Sequence, residues 1–233
     1  MNATTMKQHT RPHYLIVRRF NGIVSLLTAV ICLTGCGQAY YGAWEALGVH
    51  KRDIMVDRVQ DARDDQEEAK EQFASALEQF SAMFEFEGGE LEAKYKALKS
   101  ALDDSESQAA TVTSRIDSVE NVSEALFTEW ETELEQYTNA ELRAASEKQM
   151  KQTRKKYDQM VAAMRKAEGK MQPVLEAFRD QVLFLKHNLN ARAIASIQGT
   201  AGELETDVAR LIEEMQVSID EADAFIEQMG QAE

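Results

Sequence analysis

From Met55 to Met83 the apolar residues recur at alternating spacings of four and three: Met55, Val59, Ala62, Ala69, Phe73, Ala76, Phe80 and Met83, with Gln66 occupying one step. A repeat of that period is a coiled-coil seam, so a long helix is predicted from about residue 50. Glu87-Gly88-Gly89-Glu90 breaks it. Adjacent glycines each cost a helix roughly 1 kcal/mol relative to alanine and readily take the left-handed cap geometry, so a tight helical hairpin should follow. The spacing resumes through Leu91, Tyr95, Leu98, Leu102, Ser105, Ala109, Val112, Ile116 and Val119. It then drifts in four-residue steps through Val122, Leu126, Trp130 and Leu134 to Tyr137, a local stutter in the supercoil. Thr138 or Asn139 can cap a third helix, with Glu141 in its first turn.

The third seam carries Leu142, Met150, Thr153, Tyr157, Met160, Val161, Met164, Met171, Val174, Phe178, Val182 and Leu185. Pro173 should kink this helix, because an interior proline removes a hydrogen bond, and Gly169 eases the bend. Two places can end it: His187-Asn188-Leu189-Asn190, or Gly199-Thr200-Ala201-Gly202. Length favours the first, which leaves third and fourth arms of about 49 and 40 residues, comparable with the first two. The fourth seam runs through Ile194, Ile197, Ala201, Leu204, Val208, Leu211, Met215, Ile219, Ala222, Ile226 and Met229. The expected fold is all-α: an elongated rod of four antiparallel coiled-coil helices over 50–230. Their expected bounds are about 50–86, 90–137, 139–187 and 190–229, and the arms should be roughly 55 to 75 Å long. Composition agrees, since Pro12 and Pro173 are the only prolines and good helix formers abound.

The first 35 residues follow a different plan. Lys7, Arg11, Arg18 and Arg19 precede an apolar run from Gly22 to Leu33, and no acidic residue occurs before Glu45. The run is roughly a dozen residues, the length of an export-signal core and short of the ~20 needed to span a membrane. It ends in Leu33-Thr34-Gly35-Cys36, which resembles the lipobox of bacterial lipoproteins. That resemblance implies cleavage before Cys36 and a diacylglyceryl thioether on its sulfur; the alternative is an ordinary export signal with a coincidental cysteine. Gly37 in place of aspartate implies sorting to the periplasmic side of the outer membrane. Cys32 would leave with the signal and Cys36 would carry lipid, so no thiol remains for a disulfide or for catalysis. Residues 36–49 form a lipidated aromatic tether in which Tyr40, Tyr41 and Trp44 suit the headgroup layer, or alternatively pack against the base of the bundle.

Of the chain's 26 Lys and Arg, removal of those four leaves 22 against 40 Asp and Glu, a net charge near −18. Such a protein repels nucleic acid and anionic lipid overall. Neither glycine cluster ends in the Gly-Lys-Ser/Thr that a phosphate-binding loop requires, so no nucleotide cofactor is expected. His50 and His187 should fall at opposite ends of the rod, too far apart to share a metal, and His187 suits a helix C-terminus. Acidic runs such as Asp64-Asp65 and Glu67-Glu68 look like solvated faces, so no catalytic pair is singled out and no enzyme is expected. One stretch departs from the acidic trend: Lys148, Lys151, Arg154, Lys155, Lys156, Arg165, Lys166 and Lys170. It either pairs across the bundle with the acidic first helix, Asp57 to Glu71, which is the favoured reading, or binds an anionic envelope ligand such as a lipid, glycan or peptide.

Several segments carry a wider likeness: Tyr41-Gly42-Ala43-Trp44-Glu45, Lys51-Arg52-Asp53-Ile54, Val56-Asp57-Arg58-Val59, Ala69-Lys70-Glu71-Gln72-Phe73 and Asp180 through Ala191. With them the chain resembles, over nearly all of 40–229, a family of bacterial coiled-coil proteins known only as a domain of unknown function. The resemblance implies no activity. The expected role is a non-enzymatic, lipid-anchored scaffold that meets an unknown envelope protein in the periplasm, with homo-oligomers possible and no nucleic-acid partner.

Overall fold

The computed structural model of the protein describes residues 50–85 and 90–230. The expected signal segment 1–35, the expected lipidation residue Cys36, the expected tether 36–49 and the expected Gly88-Gly89 break lie outside the described residues. Where the seams predict helices, helices form: α1 (Lys51–Ala82), α2 (Leu91–Leu134), α3 (Ala140–His187), α4 (Ala191–Gln198) and α5 (Ala201–Gly230). The fold is all-α, and no strand occurs among the described residues. Met55, Val59, Ala62, Gln66, Ala69, Phe73, Ala76, Phe80 and Met83 are all fully buried, so the first seam is core along its whole length. The drifting part of the second seam is also inward, with Val122, Leu126 and Leu134 buried.

The arms close into a ring: α1 packs on α2, α2 on α3, α3 on α5 and α5 back on α1. Arms α1 and α3 face each other across the core, where the Phe80 and Phe178 rings meet edge to face at 6.1 Å. Both candidate breaks near the end of the chain are used, but differently. Gln181 bonds Thr200 at 3.5 Å and Lys166 pairs with Glu214 at 2.7 Å. Followed inward, that antiparallel register closes at residue 190, so the chain reverses at 188–190. Gly199-Thr200 instead splits the expected single fourth arm into α4 and α5. α3 runs unbroken through Pro173, which has no N–H to offer the Gly169 carbonyl. A side chain at Gly169 would meet open space.

Capping fixes where the arms start. Asn139 Oδ1 accepts from the N–H groups of Glu141 (2.9 Å) and Leu142 (3.1 Å), and Asn190 Oδ1 does the same for Arg192 and Ala193, both at 3.1 Å. Replacing Asn139 by alanine is expected to cost about 1 kcal/mol, locally, because two helix N–H groups lose their acceptor. Amide exchange over residues 141–146 should then be roughly fivefold faster, and unchanged exchange would reject the cap's contribution.

The arms are unequal, in the order that the expected bounds gave, α2 and α3 being the longer. α1 has 32 residues and α5 has 30, against 44 in α2 and 48 in α3. Lys51 pairs with Glu129 at 3.0 Å, and Arg52 donates to the Met229 carbonyl, so α1 begins and α5 ends level with Glu129. Among the described residues α2 and α3 alone continue past that level as an overhang, α2 by five residues or ~8 Å at 1.5 Å per residue. The overhang has its own small core of Phe127, Leu134 and Met150, flanked by Trp130 and Tyr157. Trp130 Nε1 donates to Ser146 Oγ at 2.9 Å, tying the two strokes of the hairpin together. With only two described arms at this level, the seam residues Tyr137 and Leu142 stay 42 % and 58 % exposed.

One core layer is polar. Gln66 and Ser218 are fully buried, and neither the Gln66 amide nor the Ser218 hydroxyl bonds a protein group. The cross-arm bonds Arg63–Asp223 and Lys70–Gln216, both 2.8 Å, bracket the pair and place it in a single layer between α1 and α5. Ala62, Ala69 and Ala222, each one turn away, are also fully buried.

Candidate functional site

Functional groups on a helical rod stand on the flanks of the seams, where side chains from adjacent arms meet. Every junction of the ring carries such ties. Arg115 on α2 reaches Asp65 (2.6 Å) and Asp61 (3.1 Å) on α1. Arg179 on α3 reaches Glu106 on α2 at 2.6 Å. Arg63 joins α1 to Asp223 on α5, and Lys166 joins α3 to Glu214 on α5. The densest tie centres on Arg165. Its guanidinium donates to Glu120 (2.5 Å), Asp117 (2.6 Å) and, on its own helix, Glu168 (2.9 Å). The hydrogen bond to Glu120 does most to hold the guanidinium above its ordinary pKa, partial burial opposes it, and Asp117 and Glu168 add to the rise. Arg115 is raised in the same sense, chiefly by Asp65.

The basic stretch therefore divides in two, and its partner is not the expected one. Arg165 binds α2 and Lys166 binds α5; Arg154 pairs with Glu131 on α2 at 3.0 Å and lies 4.4 Å over the Phe127 ring; Lys151 pairs with Glu147 on its own helix. None of these ties goes to Asp57 through Glu71. The reason is the ring order: α1 lies across the core from α3, so its carboxylates turn to Arg115 and to neighbours on α1 such as Arg63 and Lys70. Lys148, Lys155, Lys156 and Lys170 form no ion pair among the described residues, and the first three are exposed. Sequence reading missed Arg63, Arg115 and Arg179 as cross-arm ties. Their signal was present, since Arg115 sits between the seam residues Val112 and Ile116, but spacing does not say which arm lies alongside.

The other predicted positions fall as follows. Cys36, Tyr40, Tyr41 and Trp44 lie outside the described residues. His187 is the last residue of α3, beside Lys186, where a cation faces the negative helix end. His50 precedes α1 at the other end, its N–H donating to Asp53 Oδ2 at 3.3 Å. Among the described residues no group of three or more His, Cys, Asp or Glu is placed to hold a metal ion, and no helix is long and apolar enough to cross a membrane. A groove of about 490 Å³ runs between α2 and α3, floored by Ala109, Ala110, Thr113 and Gly169. Its charged border, Glu106 and Arg179, is already paired. Tyr157, half-buried beside the overhang core, has its phenol raised by that burial, with its hydrogen bond to Ser123 opposing the shift. The arrangement is one of fixed ion pairs along helix flanks, suited to holding a shape and presenting a surface.

A family model described as "Protein of unknown function (DUF2959)" matches residues 40–229. No curated protein and no solved structure matches the chain.

Proposed function

We propose, from the premise that this chain belongs to the DUF2959 family over residues 40–229, that it is a lipid-anchored, non-catalytic helical scaffold of the bacterial cell envelope. The observation that carries this reading is the sequence Leu33-Thr34-Gly35-Cys36 directly after a basic start and an apolar run. Acylated at Cys36, the protein would sit on the periplasmic side of the outer membrane, with the sorting inferred from Gly37. Several acyl chains would make the anchor lasting, since one alone holds only marginally at ~0.8 kcal/mol per buried CH2. Long arms whose flanks are sewn by ion pairs support a role in spacing or presenting partners rather than in turnover. The anionic-ligand alternative has its own support in the exposed, unpaired Lys148, Lys155 and Lys156.

The test is Cys36→Ala in the full-length protein. Incorporation of labelled palmitate is expected to fall to background, and the protein should leave the outer-membrane fraction. Unchanged labelling and fractionation would remove the anchor from the account.

A further inference from the structure

The overhang of α2 and α3 is divided by charge. From Ile116 to Leu142 the chain holds eight acidic residues and no lysine or arginine; from Arg143 to Lys156 it holds six basic residues and one acidic. On α2 and its helical C-cap, Glu124, Glu131 and Glu135 fall at helical spacings of seven and four and so form one column, which continues down to Asp117 and Glu120. The column borders α3, because Glu131 meets Arg154, and Asp117 and Glu120 meet Arg165. On α3, Lys148, Lys151 and Lys155 form a parallel ridge at spacings of three and four, facing away from the buried Met150 and Thr153. Glu124, Glu135, Lys148 and Lys155 are all exposed and form no ion pair among the described residues. The arginines between the two rows are already used, so both rows remain outward.

We propose that this face binds a second copy of the chain, side by side, about a twofold axis parallel to the arms. A twofold contact sets the same surface against itself, so the acidic column of each copy meets the basic ridge of the other. The level of the rows suits this at the tip. Arg154 is level with Glu131, so Glu135, the C-cap of α2, is level with residue 150 of α3, between Lys148 and Lys151, while Glu124 lies level with residue 161, below the ridge, where it would meet the partner's lysines only along their long side chains. In a chain of net charge −14 two rods repel over most of their surface, and contact is favoured where opposite charges face each other. The pairing stands independently of the lipid anchor.

The test is the association state of the full-length protein by sedimentation equilibrium, with circular dichroism confirming that each variant stays helical. Wild type is expected to dimerise at low salt and to dissociate in about 1 M salt, where the screening length falls to ~3 Å. Lys148→Glu with Lys155→Glu should weaken the dimer by about tenfold or more, and so should Glu124→Lys with Glu135→Lys. Combining all four reversals in one chain, or mixing the two reversed proteins, should restore association. A wild-type monomer at low salt, or a dimer indifferent to both reversals, would overturn the proposal. So would lysine-dependent binding to phosphatidylglycerol vesicles with an unchanged association state, which would give the ridge to an anionic surface.

Discussion

Truncating Phe178 to alanine is expected to destabilise the protein by about 3–5 kcal/mol, the range for a fully buried phenylalanine. The ring has no exposed surface and stands edge to face against Phe80 at an interplanar angle of 89°. Phe80 in turn meets Phe84 at 5.2 Å. Because α1 and α3 face each other across the core, Phe178 fills space at the centre of the ring. Each arm is held on its flanks by the ion pairs of its neighbours, so the cavity left by the ring cannot readily collapse. Urea unfolding followed by circular dichroism should show a lower midpoint at an unchanged slope. Phe178→Leu, which keeps most of the volume, should lose less than half as much. A loss below about 1 kcal/mol for the alanine variant would mean that the arms do not enclose this ring.

Arg165→Glu should have the next largest effect, about 2–3 kcal/mol at low salt, because it removes three attractions and sets a fourth carboxylate among Asp117, Glu120 and Glu168. The side chain is about one third exposed, which is why the expectation stops well short of a buried ion-pair loss. Arg165→Met removes the attraction without adding repulsion and should cost about half as much. The two variants should converge in about 1 M salt, where the screening length is ~3 Å. If the difference between them survived high salt, packing of the arginine stem rather than its charge would be the cause.

The seams were legible because apolar spacing reports directly which side of a helix leaves water. Met55 through Met83 could be assigned to the core residue by residue, and so could Leu204 through Ala222 apart from the buried Ser218, but near the end of the chain Phe225 rather than the expected Ile226 is the buried residue. What spacing does not encode is the cyclic order of the arms. An apolar stripe names the inside of a helix but not the neighbour on either flank, so Lys148 through Lys170 were matched by charge to Asp57 through Glu71. The ring instead gives Arg154 and Arg165 to Glu131, Glu120 and Asp117 on α2. The ends of the arms near residues 50 and 229 fell where the seams begin and stop. What the repeat did not signal is that its continuation through Tyr137 and Leu142 would stay exposed, because burial there depends on neighbouring arms that the described α1 and α5 do not supply. Gly199-Thr200 was visible as a break, but whether a break turns the chain or only interrupts a helix depends on the tertiary register around it.

The polar layer at Gln66 and Ser218 bears on how the arms find their alignment. A heptad seam offers near-equivalent alternatives, since sliding one helix by seven residues returns apolar positions to apolar positions. Here such a slip of α1 along α5 would carry the Gln66 amide from the level of Ser218 to that of Leu211 or Phe225, both buried and apolar. Ser218 would at the same time face Val59 or Phe73, which are fully buried in α1. Each misaligned state thus strands two hydrogen-bonding groups in separate apolar layers, where the native alignment gathers them into one. A pair of residues that adds little cohesion to the finished rod thereby acts as its ruler, selecting one alignment among those the repeat would otherwise leave nearly degenerate.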